Sequence, residues 1–306
     1  MRNLEPGSAV IGATVCEIAP MYVILGASGH IGSAVIDALR ASGDTVIAVV
    51  HSAEKAAAIG REGVEPVIAD VADTARLRSV LQKGRRAFLL NPPADIRRDT
   101  NAEELKTARS IAAALDGSGL EKLVVASIYG ALDGAGIGDL SVLYDFEREV
   151  KASGIPAAIN RGAYYFTNLD MLLEPAGKTG RLVTPFPADM KIPMVSPHDL
   201  GEIAAARLKS PTDDIGIDYV EAPERYSFAD VAEAFSSLLG RPVTTETIPR
   251  EKFEDYYLGL GFSWAAARCH AKMTEVTIDG GAETPDRRHW GRTTLARHLE
   301  ALQARR

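Results

Sequence analysis

Several features are scarce in this chain of 306 residues, and each absence argues against a class of protein. Two cysteines, Cys16 and Cys269, are too few for a disulfide framework or a cysteine-based metal cluster, which fits a reducing, cytoplasmic location. No apolar run approaches the roughly 20 residues of a membrane-spanning helix. The net charge is −7 and no long basic cluster occurs, so the electrostatic footprint of a nucleic-acid-binding protein is missing. We therefore expect no metal, no membrane and no nucleic acid among its partners.

The remaining composition is that of an ordinary globular protein, with 46% hydrophobic and 25% charged residues. The length suits a nucleotide-binding domain with a smaller partner lobe. Residues 1–20 lack the basic n-region of a signal peptide, and Met21 stands directly before the first strongly apolar segment. We expect residues 1–20 to be an extension outside the core fold, and an upstream translation start is one hypothesis for it.

The most informative segment runs from Tyr22 to Gly32. Tyr22–Leu25 is apolar and predicts a short buried strand, and residues 33–42 have the character of a helix. Between them, glycines recur at three-residue spacing, which allows a sharp turn, close approach of backbone N–H groups to a pyrophosphate, and tight helix–strand packing. The phosphate then lies at the positive end of the helix dipole. This predicts a dinucleotide site whose cofactor-binding residues are Gly26, Ser28, Gly29, His30, Ile31 and Gly32.

The end of the second predicted strand, Thr45–Val50, indicates which dinucleotide is bound. An NAD-preferring site usually places Asp or Glu near this position to bind the ribose 2′-OH. Here the strand ends at His51 and Ser52, with Lys55 three positions further on, and these groups are suited to a 2′-phosphate. The pattern favours NADP(H) over NAD(H). The alternative is that Lys55 is a solvated helix residue.

Further strand–helix units predict an α/β fold, with a doubly wound parallel sheet of the Rossmann type. The third strand ends at Asp70, placed either to reach an adenine amino group or to stabilise its own turn. The fourth strand ends at Leu90, Asn91 and Pro92, which we expect to lie extended along the ligand crevice. Residues 130–138 are rich in glycine and form a candidate lid over that crevice.

Beyond Arg161 the pattern changes to short proline-rich segments and helices. We expect a Rossmann domain at residues 21–161 and a smaller, mostly helical C-terminal substrate lobe at residues 162–306, the two interleaved in space. The pattern predicts a helix over Ala163–Leu173, and another near Pro197 that is capped by His198 and Asp199.

Several motifs in fixed order give the chain a family resemblance from Met21 onwards. They read G-A-S-G-H-I-G, L-N-P-P, L-Y-D-F-E-R-E-V, N-R-G-A-Y-Y-F-T-N and P-M-V-S-P-H-D-L-G, with G-R-T-T-L near the end. The chain resembles the NmrA-like branch of the atypical short-chain dehydrogenase/reductase superfamily. It is most similar to members of the NAD(P)H:quinone oxidoreductase type and to members described as sugar epimerases. The resemblance implies NADP(H) binding through the glycine turn, and a substrate pocket between the two lobes.

The resemblance does not settle the catalytic residues. Active members of the superfamily carry Ser, Tyr and Lys, with Tyr and Lys four residues apart on one helix face. Here Ser127 and Tyr144 match, but Arg148 stands where the lysine belongs, and the guanidinium cannot copy the contacts of an ammonium group. Tyr129 is a rival hydroxyl in the same crevice. The alternative is that Tyr144 and Arg148 are a packed aromatic residue and a solvated charge.

Two functions of different classes follow. The first is an NADPH-dependent oxidoreductase that reduces a small quinone or conjugated carbonyl, with Tyr164, Tyr165 and Phe166 stacking on a flat substrate unless they belong to the core. The second is a non-catalytic NAD(P)-binding redox sensor that acts through a protein partner, as some members of the family do. A sugar-nucleotide epimerase is disfavoured because that chemistry depends on the Tyr–Lys pair. A homodimer or a regulatory partner remains open.

Overall fold

The protein is built around one sheet of parallel strands. A computed structural model describes residues 21–280 and 285–304, so the predicted extension at residues 1–20 lies outside the described residues. In chain order the strands are β1 (Tyr22–Ile24), β2 (Val46–Val50), β3 (Val64–Ile68), β4 (Arg86–Leu89), β5 (Lys122–Ile128), β6 (Ala157–Gly162), β7 (Tyr164–Tyr165), β8 (Arg181–Thr184), β9 (Met194–Val195), β10 (Gly216–Glu221), β11 (Thr244–Thr247) and β12 (Arg288–Trp290).

Eight of these described strands form the central sheet in the order β12-β10-β6-β5-β4-β1-β2-β3. Every pairing in it is parallel. β1 and β2 are apolar and buried along their whole length, because helices cover both faces of the sheet. This confirms the Rossmann-type α/β fold.

The helices lie on both faces of the sheet and in the C-terminal lobe. They are α1 (His30–Ala41), α2 (Ala53–Ile59), α3 (Thr74–Leu81), α4 (Thr100–Ala114), α5 (Asp139–Ala152), α6 (Thr167–Thr179), α7 (Pro197–Lys209), α8 (Phe228–Leu239), α9 (Phe253–Gly259), α10 (Trp264–Gly280) and α11 (Leu295–Ala304). Residues of α1 and α7 pack in the core on one face, and residues of α3, α4 and α5 in the core on the other. A third core joins α6, α8 and α11 in the lobe.

Two local predictions after residue 162 are wrong. The predicted helix over Ala163–Leu173 begins only at Thr167, because the chain first forms β7. The backbone N–H groups of Tyr164 and Phe166 donate to the β9 segment instead of to a helical turn. Likewise, α7 is capped by Ser196, whose hydroxyl accepts from the His198 N–H, and not by the His198–Asp199 pair.

Strands from the C-terminal part of the chain extend the central sheet. β10 pairs with β6, and β12, which the sequence did not predict, pairs with β10. The two parts of the chain therefore share one sheet. Among the helices in the described ranges, none is long and apolar enough to cross a membrane.

Candidate functional site

The glycine turn between β1 and α1 is closed tightly by its own backbone. The Gly29 N–H donates to the Gly26 carbonyl at 2.9 Å, and Gly26 has a φ of 64°, a conformation that favours glycine. A Cβ on Gly32 would lie 2.2 Å from the same carbonyl oxygen, so no larger residue fits there. No side chain caps the first turn of α1. Its N-terminus therefore presents backbone N–H groups and a positive dipole end to an anion.

This turn opens onto a cleft of about 350 Å³ at the carboxyl ends of the strands. Such a position is where open α/β sheets bind nucleotides. The wall contains six of the predicted cofactor residues together with residues of β2, the β4 loop and α4. The lining residues are Gly26, Ser28, Val49, Val50, His51, Ala69, Asp70, Val71, Leu90, Pro92, Pro93, Ala94, Asp95, Glu103 and Thr107.

The other predicted cofactor residues lie next to this cleft or brace its walls. His30, Ile31 and Gly32 form the first turn of α1 behind Gly29, and Ile31 is buried. The Asn91 side chain is hydrogen-bonded to α4, where its Nδ2 donates to the Glu104 carbonyl oxygen at 3.0 Å. The Thr107 hydroxyl donates to the Asn91 Oδ1 at 2.7 Å. Asn91 thereby fixes the cleft wall to the helix behind it.

The tip of β2 carries the residues that sequence analysis assigned to a 2′-phosphate. Ser52 is the N-cap of α2, and its Oγ accepts from the Lys55 N–H at 3.2 Å. The side chains of His51 and Lys55 are exposed. On the neighbouring strand end, Asp70 accepts from the Ala72 N–H at 2.8 Å, the turn-stabilising alternative for that residue.

Ser127, at the end of β5, belongs to a buried ionic network. Its hydroxyl donates to Glu147 Oε1 at 2.6 Å, and Ser127 is only 1% exposed. The Arg161 guanidinium donates to both Glu147 carboxylate oxygens, at 2.8 and 2.9 Å, and also to the Tyr219 hydroxyl oxygen at 3.0 Å. Tyr129 packs edge-on against Tyr219 beside this network, with ring centroids 4.8 Å apart. The sequence analysis did not predict the network.

Tyr144 and Arg148 both lie on α5, but their surroundings differ. Tyr144 is half-buried, whereas the Arg148 side chain is 65% exposed and pairs with Asp145 at 2.9 Å. An exposed ion pair of this kind contributes little to the free energy of folding. The Arg148 side chain therefore lies mostly in solvent.

The three aromatic residues after β6 have three different environments. Burial raises the pKa of Tyr164, which packs edge-on against Phe186 and Phe228. Burial, followed by the charge of Asp139, raises the pKa of Tyr165 to about 12. Phe166 is fully buried in the core of the C-terminal lobe.

Tyr165 is the member of the trio that lies next to the ends of β5 and β6. It lines a small cavity together with Ser127, Asn160 and residues of α1 and α7. The cavity is about 10 Å³, close to the smallest space that holds one water molecule. The Asn160 Nδ2, which faces this region, has no hydrogen-bond partner within the described residues.

An acidic pair that the sequence analysis did not predict lies between the cleft and the glycine-rich loop. Glu104 of α4 is 7% exposed, and its Oε1 accepts from the Ala94 N–H of the cleft wall at 2.8 Å. Its acidic neighbour is Asp139, the first residue of α5. Burial, followed by the Asp139 charge, raises the pKa of Glu104 to about 8.

The relation to known proteins rests on a family model that matches residues 21–279 of this chain, described as the NmrA-like family. The chain belongs to the NmrA-like family. An NAD(P)H azoreductase of Xenophilus azovorans is 23% identical over 241 residues, which cover 79% of this chain and 82% of that protein.

Solved structures of the same fold include two reductases with bound nucleotide. One is a triphenylmethane reductase of Citrobacter sp. complexed with NADP(H), with a TM-score of 0.78 and 20% identity, over 92% of this chain and 99% of the other. The other is an NADPH-dependent quinone oxidoreductase of Escherichia coli complexed with NADPH, with a TM-score of 0.77, 20% identity and the same coverage. At this identity the similarity shows that the NmrA-like chain shares their fold.

Proposed function

We propose that the protein is an NADPH-dependent oxidoreductase that reduces a small quinone or conjugated carbonyl by hydride transfer. The observation that carries the proposal is the uncapped N-terminus of α1, reached through a turn that only glycine fits, at one end of a cleft of about 350 Å³. A diphosphate matches the chemistry of that site. The NAD(P)H azoreductase and the NADPH-dependent quinone oxidoreductase that the chain resembles support the same proposal.

The residues present fit a dinucleotide along the whole cleft. Gly26, Ser28 and the first turn of α1 would hold the pyrophosphate, and Asp70 would face the adenine. His51 and Lys55, exposed beside the β2 tip, would receive the 2′-phosphate as charge-assisted partners. When bound, NADPH supplies the hydride.

On the substrate side, the chain needs to position a flat electrophile and to exclude water. A conjugated acceptor is already electrophilic, so correct placement supplies most of the rate acceleration. Tyr164 and Tyr165, which lie partly accessible at the start of the C-terminal lobe, are the proposed stacking surfaces. Tyr144, Ser127 and Tyr129 stay candidate hydroxyls for the proton. Because the Ser127 hydroxyl already donates its hydrogen bond to Glu147, we favour Tyr144 as the proton donor.

The cofactor part of the proposal is tested by fluorescence titration of NADPH and NADH on the wild type and on Lys55→Ala. We expect NADPH to bind more tightly than NADH, and the substitution to weaken NADPH roughly tenfold, about 1.4 kcal/mol, while leaving NADH unchanged. Lys178→Ala is the matched control, since it removes an exposed lysine from α6 in the other lobe. Equal effects on both nucleotides would refute the 2′-phosphate assignment.

The reaction is tested by NADPH oxidation with a panel of quinones and enones. Turnover that saturates with the acceptor supports the oxidoreductase. Tight NADPH binding without turnover on any acceptor would refute it, and would favour the redox sensor instead. A homodimer and a regulatory partner stay predictions until the oligomeric state is measured.

A further inference from the structure

The hairpin of α9 and α10 carries exposed apolar side chains at its tip. The two helices run antiparallel, because Arg250, just before α9, pairs with Asp279 near the end of α10. At the turn that joins them, Leu260 is 48% exposed and Trp264 is 71% exposed. Single exposed apolar residues are normal on a protein surface, whereas several that lie together mark a site of contact. The tip of this hairpin is a patch of the second kind.

The tip is held firmly against the segment that follows β4. The Ser263 N–H donates to the Ile96 carbonyl oxygen at 2.8 Å, and the Ser263 Oγ donates to the Arg98 carbonyl oxygen at 2.7 Å. Ile96, 37% exposed, thereby adds a third apolar side chain to the patch. A fixed surface loses little conformational freedom when another surface covers it, and tryptophan is enriched among the residues that dominate binding energy. The patch is therefore suited to contact with another protein surface.

Behind the tip, the two sides of the hairpin carry charges of opposite sign. On α10, Arg268 and Lys272 follow Trp264 by four and eight residues, so these exposed side chains form one stripe along the helix. On the other side, Glu254 of α9 and Glu251 of the helical turn before it are exposed. The outer face of the hairpin therefore presents a basic stripe beside an acidic one.

The charges of this face are available to a partner. Glu254 and Arg268 form no ion pair with any side chain in the part of the chain that the structure describes. The other charges form two surface pairs between residues three positions apart, which contribute little energy and can be exchanged for pairs with another chain. These two pairs are Lys252–Asp255 at 3.0 Å and Lys272–Glu275 at 3.2 Å.

The spacing of the charges along the hairpin matches that of a second copy. A twofold axis parallel to the hairpin places α10 of one copy against α9 of the other, with the two tips at the same level. Trp264 then meets Leu260 of the partner subunit. With a rise of 1.5 Å per residue, Arg268 lies about 6 Å from the level of Trp264, and Glu254 lies about 9 Å from that of Leu260. The basic group of one copy therefore faces the acidic group of the other.

We infer that the protein forms a homodimer through the outer face of the α9–α10 hairpin. The contact is isologous, so the same surface serves both copies and the assembly closes at two subunits. Lys272 and Glu251, about 12 and 14 Å from the tip, extend the same charge pairing. A face of two short helices is small for a stable interface, and we expect a dissociation constant on the order of 10 µM. The inference does not depend on the proposed reductase activity.

The test is sedimentation velocity of the full chain between 1 and 100 µM, without nucleotide. The wild type should pass from monomer to dimer over this range. Trp264→Ser should raise the dissociation constant at least about tenfold, because it removes the apolar centre of the contact. Met171→Ser is the matched control, since it removes an apolar side chain of equal exposure, 72%, from α6, and it should behave as the wild type. The circular dichroism spectra of both variants should match that of the wild type.

Charge reversal tests the pairing between copies. Arg268→Glu and Glu254→Arg each place like charges against each other across the twofold axis, and each should raise the dissociation constant about tenfold. The double variant restores opposite charges and should return to within about threefold of the wild type. Since these charges are exposed, 0.5 M NaCl should weaken the wild-type dimer. A double variant as weak as the single ones would overturn the inference.

Tryptophan fluorescence gives an independent readout. The chain has two tryptophans, so Trp290→Phe leaves Trp264 as the only one. Its emission should shift to shorter wavelength with increasing concentration, because Trp264 leaves water on dimerisation. A wild type that stays monomeric to 100 µM would overturn the inference and leave the patch to a different protein. A dimer that Trp264→Ser does not weaken would equally overturn it. None of these measurements involves turnover, so failure of the dimer and failure of the proposed function are distinguishable.

Discussion

Gly32→Ala is the sharpest available perturbation of the nucleotide site. The added Cβ would lie 2.2 Å from the Gly26 oxygen and 2.7 Å from its carbonyl carbon, whereas ordinary contacts begin near 3.4 Å. Both clashing atoms belong to the backbone, so no side chain can rotate away. The turn must move by roughly 1 Å, and overpacking of this kind costs about 1–3 kcal/mol.

We expect Gly32→Ala to lower the melting temperature by roughly 2–12 °C, as measured by scanning calorimetry, and to weaken NADPH binding by at least about tenfold. The binding loss follows because the N–H groups that would face the pyrophosphate move with the turn. Gly29→Ala should be milder, since its Cβ would lie 3.3 Å from the same oxygen and needs a shift of only a few tenths of an ångström.

Gly259→Ala is the matched control. It ends α9 with no heavy atom within 4 Å of the added Cβ, so alanine should be neutral or stabilise by up to about 1 kcal/mol. The reasoning is refuted if Gly32→Ala melts within 1 °C of the wild type and binds NADPH within about twofold of it, since a rigid cradle would not tolerate that Cβ.

Two further predictions concern α5. Glu147→Gln removes the carboxylate that pairs with Arg161, a side chain that is only 7% exposed. We expect the free energy of unfolding, measured with denaturant, to fall by about 3 kcal/mol. A loss below about 1 kcal/mol would contradict a buried ion pair. Arg148→Lys restores the family spacing from Tyr144, but it should change kcat less than about threefold, because this side chain lies in solvent. A tenfold rise in steady-state turnover would show that position 148 reaches the reaction.

The first half of the fold could be predicted because local signals and tertiary structure agree there. Apolar runs such as Thr45–Val50 are buried strands of a parallel sheet, and the glycine spacing marks the turn after β1. Asp73, a residue type that helix N-caps favour, caps α3. In this region, the observed bounds differ from the predicted ones mainly at the ends of elements.

Predictions failed where long-range pairing overrides local preference. Tyr164–Tyr165 has a helical context, yet it pairs with β9, and the short β12 has no signal beyond its partner strand. The Glu104–Asp139 and Glu147–Arg161 pairs likewise depend on which helices and strands become neighbours. One local signal did exist: Glu104 lies four and seven residues before Ala108 and Ile111, on a face that is otherwise apolar and buried.

The shared sheet limits which parts of this chain can be removed or exchanged without disrupting the fold. Because β10 lies against β6, the C-terminal segment is a structural neighbour of the nucleotide fold and not an appendage. A chain cut after β6 would expose a row of unpaired backbone groups along a strand that is otherwise almost entirely buried, a template for aggregation. Exchange of the whole C-terminal part between relatives would therefore remove one side of the sheet. New acceptors are more readily accommodated by replacing the loops and helices around the cleft, with the strand order kept intact.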